Sequence, residues 1–357
     1  MAAGSGELRI GIVGAGRVAL RRHLPGFGAE PGVKVVGVCN RGRESAARAA
    51  REWDIPKIYS SWEDMLDDDE VDAIAIAAWP YLHCPITLAA LDAGKHVLTQ
   101  APMAMNAREA HRMLDRSRAS PELVAMVAPG PYGLALDAFV RATVAAGYLG
   151  TVREVHVRSL SGELADPRTP LNWRQKTKYS GFNMLDLAFL HEVAHRWGPP
   201  VSRVSAHASK LIPARPDPAR GAAGKVGTPD SVQAFTDHEG GSRGTFRLGG
   251  LALHGGGIEV ALYGSEGTLI CDLDRDEVRG ARRGDAALAP LPIPETLRNG
   301  WRTEADFVAA IRGGPPVERT TFVDGARTMQ FTEAVARSSR HQSPVDLPLQ
   351  EFSNPTL

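Results

Sequence analysis

The segment GIVGAGRVA ends the apolar run LRIGIV and opens RVALRRHLPGFGA, a stretch with helical spacing. A strand that turns through two glycines into a helix can be built in few ways. In this GxGxxA pattern Gly14 allows the tight turn, Gly16 lets a pyrophosphate approach the backbone, and Ala19 lets the helix pack closely. The helix N-terminus adds unpaired N–H groups, so the turn reads as a dinucleotide site that also includes Arg17 and Val18.

The segments that follow support this. VKVVGVC, VDAIAIA, KHVLT and ELVAMVA are β-branched runs of strand length, and their near-continuous apolarity is that of strands covered on both faces. Between them lie RESAARAAREW, CPITLAALDAG and AREAHRMLDRSR, with helical spacing and Gly or Pro punctuation. Strand and helix in alternation predict an α/β, doubly wound parallel sheet, a Rossmann domain over 1–128. Beyond it, LALDAFVRATVAAG reads as a helix, TVREVHVRSL, SVQAFTDHE, SRGTFRLGGLAL and GIEVALYGSEGTLICDL as longer antiparallel strands, Phe182 to Trp197 as one buried helix, and IPARPDPARGAAGKVGTPD as a loop. The segment 129–357 is thus expected to form a second α/β domain built on antiparallel strands.

Composition narrows the partners. A chain of 357 residues is long enough for two domains. Lys plus Arg and Asp plus Glu are both 41, which argues against nucleic acid or an acidic membrane surface as partner. Three scattered cysteines with no CxxC pair argue for a reducing compartment. No apolar run approaches the roughly 18 residues of a membrane span, so a cytoplasmic location is expected.

The second strand runs into Asn40-Arg41-Gly42-Arg43, where NAD-preferring sites place an acidic residue for the ribose hydroxyls. A guanidinium suits a 2′-phosphate instead, so Asn40, Arg41 and Arg43 point to NADP, with NAD as the alternative.

With GIVGAGRVA, four further segments make the chain resemble the glucose-fructose oxidoreductase, inositol dehydrogenase and rhizopine-catabolism family (Gfo/Idh/MocA). They are Pro80 and His83 in AAWPYLHCPITLAALDAGKHVL, Pro102 after the GKHVL strand, YGSEGTL, and the closing FVAAIRGGPPV with DGARTMQFTEA. The resemblance implies a nucleotide-binding domain followed by an α/β domain with an open, mostly antiparallel sheet that often forms the oligomer interface, hence a homodimer or homotetramer. It implies an NAD(P)-dependent oxidoreductase acting on a small-molecule substrate, a sugar, polyol or imine, with Trp79, Pro80, His83, Gln100, Ala101 and Pro102 at the cofactor.

Within FNMLDLAFLHEVAHRWG two registers compete. HEVAH has the spacing of a zinc peptidase, two histidines four apart with a glutamate between them. The family's GGxLxDxGxHxxDxxRW instead places Gly181, Asp186, Arg196 and Trp197 on its Gly, Asp, Arg and Trp, and Leu190 on its histidine. His191 falls one residue, about 100°, further round the helix. The extended zincin pattern fails, because Val201 stands where its third histidine is required, and no metal is expected.

Two departures define the expected chemistry. Where relatives carry Glu-Lys-Pro, this chain has Gln100-Ala101-Pro102, and Leu190 replaces the histidine. Trp79-Pro80-Tyr81 likewise replaces Thr-Pro-Asn, and VAPGPYG stands where an Asn-Arg-Phe-like stretch is common. A positioned general base contributes typically about a hundred- to ten-thousandfold in rate, so proton transfer must be arranged differently. Asp186, Tyr179 and Lys178 are the catalytic candidates, and Trp173, Arg174, Asn183 and His191 the substrate-binding ones. A C=N substrate would ease the difficulty, since an iminium is already protonated. The alternatives are a lyase or glycoside-cleaving enzyme with transient redox, and a non-catalytic ligand-binding homologue.

Overall fold

The computed structural model describes residues 6–353 and 355. Six strands, β1 (Leu8–Val13), β2 (Val33–Cys39), β3 (Lys57–Ile58), β4 (Ala73–Ile76), β5 (His96–Gln100) and β6 (Ala125–Ala128), form a parallel sheet in the order β3-β2-β1-β4-β5-β6. The helices between them are α1 (Leu24–Ala29), preceded by a π-turn over Ala19–His23, α2 (Arg43–Glu52), α3 (Trp62–Leu66), α4 (His83–Asp92) and α5 (Ala107–Arg118). Ile10 and Ile12 on β1 are fully buried and all of β4 is buried, as strands covered on both faces must be. The reversal of strand order beside β1 puts the crevice for a ligand at the carboxyl ends of the strands.

The second unit is organised differently. Helix α6 (Asp137–Ala145), strand β7 (Val152–Leu160), α7 (Thr177–Ser180) and α8 (Leu187–Trp197) precede β8 (Val201–Ser209), the hairpin β9 (Ala214–Asp217) and β10 (Ala222–Lys225), then β11 (Ser231–His238), β12 (Arg243–Gly249), β13 (Gly257–Gly264), β14 (Gly267–Asp272), β15 (Glu277–Arg282) and β16 (Ala289–Pro290). Helices α9 (Thr303–Ile311) and α10 (Phe322–His341) and strand β17 (Val345–Asp346) complete the chain. The nine-stranded sheet runs β16-β15-β14-β13-β7-β12-β11-β8-β17, antiparallel except where β7 meets β12. Here burial alternates: Val232, Ala234 and Thr236 on β11 are buried, while Gln233, Phe235 and Asp237 are exposed. One face carries the core, where Phe246 packs 4.9 Å from Phe331 of α10 and His191 of α8 stacks 4.2 Å from the same ring.

Tertiary contacts divide the chain between Pro129 and Gly130, but they return Arg302–Ala326 to the first unit, where the sequence division gave all of 129–357 to the second domain. The reason is long-range bonding. Glu304 meets His23 at 2.6 Å, Arg312 donates to the carbonyl oxygens of Pro31 and Gly32, and the Val127 N–H donates to Thr320 O at the edge of β6.

Two local expectations are corrected. The segment expected as a loop after β8 forms the β9-β10 hairpin, because Arg215 is buried with its guanidinium donating to the carbonyl oxygens of Leu164 and Asp166, and Asp217 pairs with Lys176. The helix expected from Phe182 begins at Leu187, because Gly181 and Leu185 both take positive φ, 62° and 47°, which no helix continues.

The three cysteines are buried and free, and burial raises their pKa values, that of Cys271 to about 12. Among the described residues no helix is long and apolar enough to cross a membrane.

Candidate active site

The glycine turn is set by sterics. Gly14 has φ of +91°, and a Cβ there would lie 2.6 Å from the Ala78 backbone nitrogen. Ala19 is fully buried. At Gly16 a Cβ would come no nearer than 4.0 Å to any protein atom, so this protein's own packing does not demand glycine there. Open space above a strand-helix turn is what a docked pyrophosphate needs, and the residues present fit a dinucleotide.

Asn40, at the end of β2, is turned inward. Its Oδ1 accepts from the Ala15 N–H at 2.6 Å and its Nδ2 donates to Ser45, so it braces the turn. Arg41 is exposed, with its guanidinium 5.1 Å from the centre of the Trp79 ring. Arg17 and Arg43 are also exposed, and Val18 is half-buried. Pro80 opens a single 3-10 turn, and both nitrogens of the buried His83 face backbone carbonyls, Ala78 O at 2.9 Å and Pro102 O at 3.0 Å. Burial lowers the pKa of His83, while those carbonyls pull the other way. Its contribution is to clamp the Trp79 loop to the Gln100–Pro102 segment.

At the end of β5, Gln100 Oε1 lies 2.8 Å from His23 Nε2, whose other ring nitrogen meets Glu304. Neither Gln100 nor Ala101 carries the charges of the Glu-Lys-Pro that the family resemblance implies here, and the Ala101 methyl is buried.

In the second unit Asp186 stands at the N-terminus of α8, half-buried. The Tyr132 and Ser159 hydroxyls and the Arg174 guanidinium favour its charged form, but burial is the larger influence and raises its pKa. Burial also raises the pKa of Tyr132, reinforced by the Asp186 charge. Tyr132 reaches this position because GPYG lies flat on α8: a Cβ on Gly130 would meet Phe189 at 2.9 Å, and one on Gly133 would meet Trp197 at 3.1 Å. Sequence reasoning missed Tyr132 and Ser159. The paired glycines around one tyrosine were the available signal for the first; nothing in β7 marks the second.

The other predicted residues separate. Arg174 stacks on Trp173 at 4.5 Å. Lys178 is exposed, 4.6 Å from the Tyr179 ring, on a cavity with Lys176. Asn183 is buried and donates to Ser180 O at 2.7 Å. His191 lies in the core among Phe331, Phe246, His195 and Thr328, and burial drives its pKa well below the ordinary imidazole value, so it is placed as a packing residue. Leu190 is fully buried.

The rest of HEVAH is structural. Glu192 pairs with Arg196 at 2.5 Å and accepts from the Gly130 N–H. Arg196 also donates to Asp137 of α6 at 2.8 Å, and the Trp197 indole N–H donates to the same oxygen at 2.9 Å. Arg196 and Trp197 therefore tie α8 to α6. Among the described residues no group of three His, Cys, Asp or Glu side chains could hold a metal ion.

Comparison with known proteins agrees with this geometry. Residues 8–127 match the model for an oxidoreductase family with an NAD-binding Rossmann fold, and residues 138–270 match the GFO/IDH/MocA C-terminal domain. Levoglucosan dehydrogenase of Pseudarthrobacter phenanthrenivorans is 26% identical over 96% of this chain and 98% of its own. A dTDP-3,4-didehydro-2,6-dideoxy-alpha-D-glucose 3-reductase of Streptomyces antibioticus is 28% identical over 94% of this chain and 98% of its own. A levoglucosan dehydrogenase structure in complex with NADH and L-sorbose shares the fold, with a TM-score of 0.84 at 24% identity, over 96% of this chain and 100% of that one. The glycine turn at the switch point, the open sheet behind α8 and both family models together place this chain in the Gfo/Idh/MocA family of NAD-binding oxidoreductases.

Proposed function

We propose that this oxidoreductase transfers a hydride between NADP(H) and a cyclic, sugar-type substrate, with Asp186 handling the proton. The observation that carries the proposal is the half-buried Asp186, with the Tyr132 and Ser159 hydroxyls favouring its charged form, in a chain with Ala101 and Leu190 at the positions that the resemblance assigns to the family's lysine and histidine. When bound, the nicotinamide supplies or accepts the hydride. In the oxidative direction the substrate O–H proton passes to the Asp186 carboxylate, whose raised pKa suits a general base. Tyr132 orients that carboxylate, and Arg174 and Trp173 offer a charge and a ring face to the substrate. In the reductive direction a protonated Asp186 returns the proton to oxygen, and an iminium would need none. That relatives include a levoglucosan dehydrogenase and a deoxysugar 3-reductase supports a cyclic sugar-type substrate.

The preference for NADP rests on Arg41. Asparagine, not a carboxylate, ends β2 and is committed to the turn, and a guanidinium such as that of Arg41, stacked over Trp79, suits a 2′-phosphate. Titration of wild type and Arg41→Ala with both reduced nucleotides tests it. The variant is expected to bind NADPH about tenfold more weakly and NADH unchanged, a difference of about 1.4 kcal/mol. Equal loss for both nucleotides would defeat the NADP assignment.

A further inference from the structure

The β9-β10 hairpin and the segment running into α7 border an open cavity of about 490 Å³, a size that takes a small ligand. Its polar lining is one-sided. Lys176, Lys178, Lys210, Arg220 and Lys225 line it together with a single carboxylate, Asp217. Both oxygens of Asp217 lie 2.9 Å from Lys176 Nζ, and this bond holds its pKa below the ordinary carboxylate value. That pair is internally satisfied. Among the described residues, Lys178, Lys210, Arg220 and Lys225 form no carboxylate ion pair, and Arg220 adds only a longer-range pull on Asp217.

In a chain whose 41 cationic and 41 anionic side chains balance, four such cations around one cavity are not explained by an overall basic surface. Nor do they serve the hairpin, which is fixed by Arg215 and by the Lys176–Asp217 pair. An anion among these cations would gain charge-assisted hydrogen bonds that the protein itself does not supply to them. Flexible ammonium groups hold a phosphate as point charges from several directions.

The cavity also has a defined neighbour. The stretch that supplies Lys176 and Lys178 carries Trp173 and Arg174 just before them, and the Arg174 charge acts on Asp186. From this arrangement we infer that the cavity binds a phosphate or diphosphate group, and that the cyclic substrate carries that group on the part of the molecule remote from the reacting carbon. The second half of this statement rests on the proposed oxidoreductase reading; the first does not.

The test is calorimetric titration of the full chain at saturating NADPH, so that the nucleotide's own pyrophosphate position is filled. Inorganic phosphate, inorganic pyrophosphate and uridine diphosphate are the probes, alongside the double variant Lys210→Glu with Lys225→Glu, its folding checked by thermal melting. The inference expects at least one probe to bind, to weaken tenfold or more in the double variant, and to weaken as salt screens the exposed charges. Phosphate binding as tightly as uridine diphosphate indicates a phosphate ester, and tighter uridine diphosphate binding a nucleotide-linked sugar; either supports the site. Absence of binding at millimolar probe, or binding indifferent to the two charge reversals, overturns it. Because binding is read without turnover, failure of every cyclic substrate to react would defeat the proposed function and leave the anion site intact. Turnover of neutral sugars alone would keep the proposed function and overturn the inference that the substrate carries the anionic group.

Discussion

The cofactor turn of the first unit and the Asp186 corner of the second both serve one proposed reaction, yet they are built on opposite plans. The turn is contiguous: Gly14, Gly16 and Ala19 lie within one strand-helix junction, where Gly14 and the buried Ala19 answer steric requirements of the fold and Gly16 leaves open space above the turn. The Asp186 corner draws Tyr132 from the segment before α6, Ser159 from β7, Arg174 from the segment before α7, and Asp186 from the start of α8. The contrast shows that a backbone-shaped site is written locally, whereas a site made of side-chain electrostatics depends on which segments the fold brings together.

Asp186→Asn should give the largest effect and test the second plan directly. We expect kcat to fall by about a hundred- to ten-thousandfold with nucleotide affinity unchanged. Stability should move the other way. Burial raises the folded-state pKa of Asp186 above its unfolded value, so its protonation stabilises the fold below the ordinary carboxylate range, and that contribution is lost as pH rises through the raised value. At neutral pH the variant should therefore melt higher than wild type, and the gain should vanish in acid. A variant that is both inactive and less stable at neutral pH would make Asp186 merely structural.

Asp137→Ala removes the acceptor shared by Arg196 and Trp197 and leaves a buried guanidinium with a diminished partner set. A loss of about 3–5 kcal/mol in denaturant unfolding is expected. A loss under about 1 kcal/mol would mean that α8, and with it Asp186, is held by packing alone.

For the first plan, Gly14→Ala places a Cβ against the Ala78 backbone at a φ that L residues avoid. About 2 kcal/mol of stability and at least tenfold in nucleotide affinity should be lost, measured by melting and by nucleotide fluorescence. Wild-type affinity would show that the turn tolerates what its geometry forbids.

The smallest expected effect sharpens the comparison most. The Tyr132 hydroxyl lowers the pKa of Asp186, so Tyr132→Phe should move the acid limb of the kcat/KM profile to higher pH. An unmoved limb would separate Tyr132 from the proton path, whatever happened to the rate.

Much of this molecule was legible beforehand. The apolar runs gave the strands of the parallel sheet, because a strand buried on both faces has no polar positions to spare, as Ile10 and Ile12 show. Alternation along β11 and β12 marked a sheet with one open face. The family register named Asp186, Arg196 and Trp197, but only the fold separated their surroundings: Asp186 half-buried at a helix start, Arg196 and Trp197 bound to Asp137. Tyr132, the β9-β10 hairpin and the return of α9 to the first unit were not legible, since each depends on partners far along the chain.

By itself, then, the sequence determined the nucleotide turn and the succession of two sheets, because local sterics and periodic burial act between near neighbours; the exchanges at Ala101 and Leu190 are what the family resemblance implies. Tertiary structure alone decided that His191 packs in a core, that Glu192 answers Arg196, and that the lysines of the hairpin and of the segment into α7 meet around one cavity. Charge pairing and desolvation depend on distance in space, and distance along the chain does not encode them.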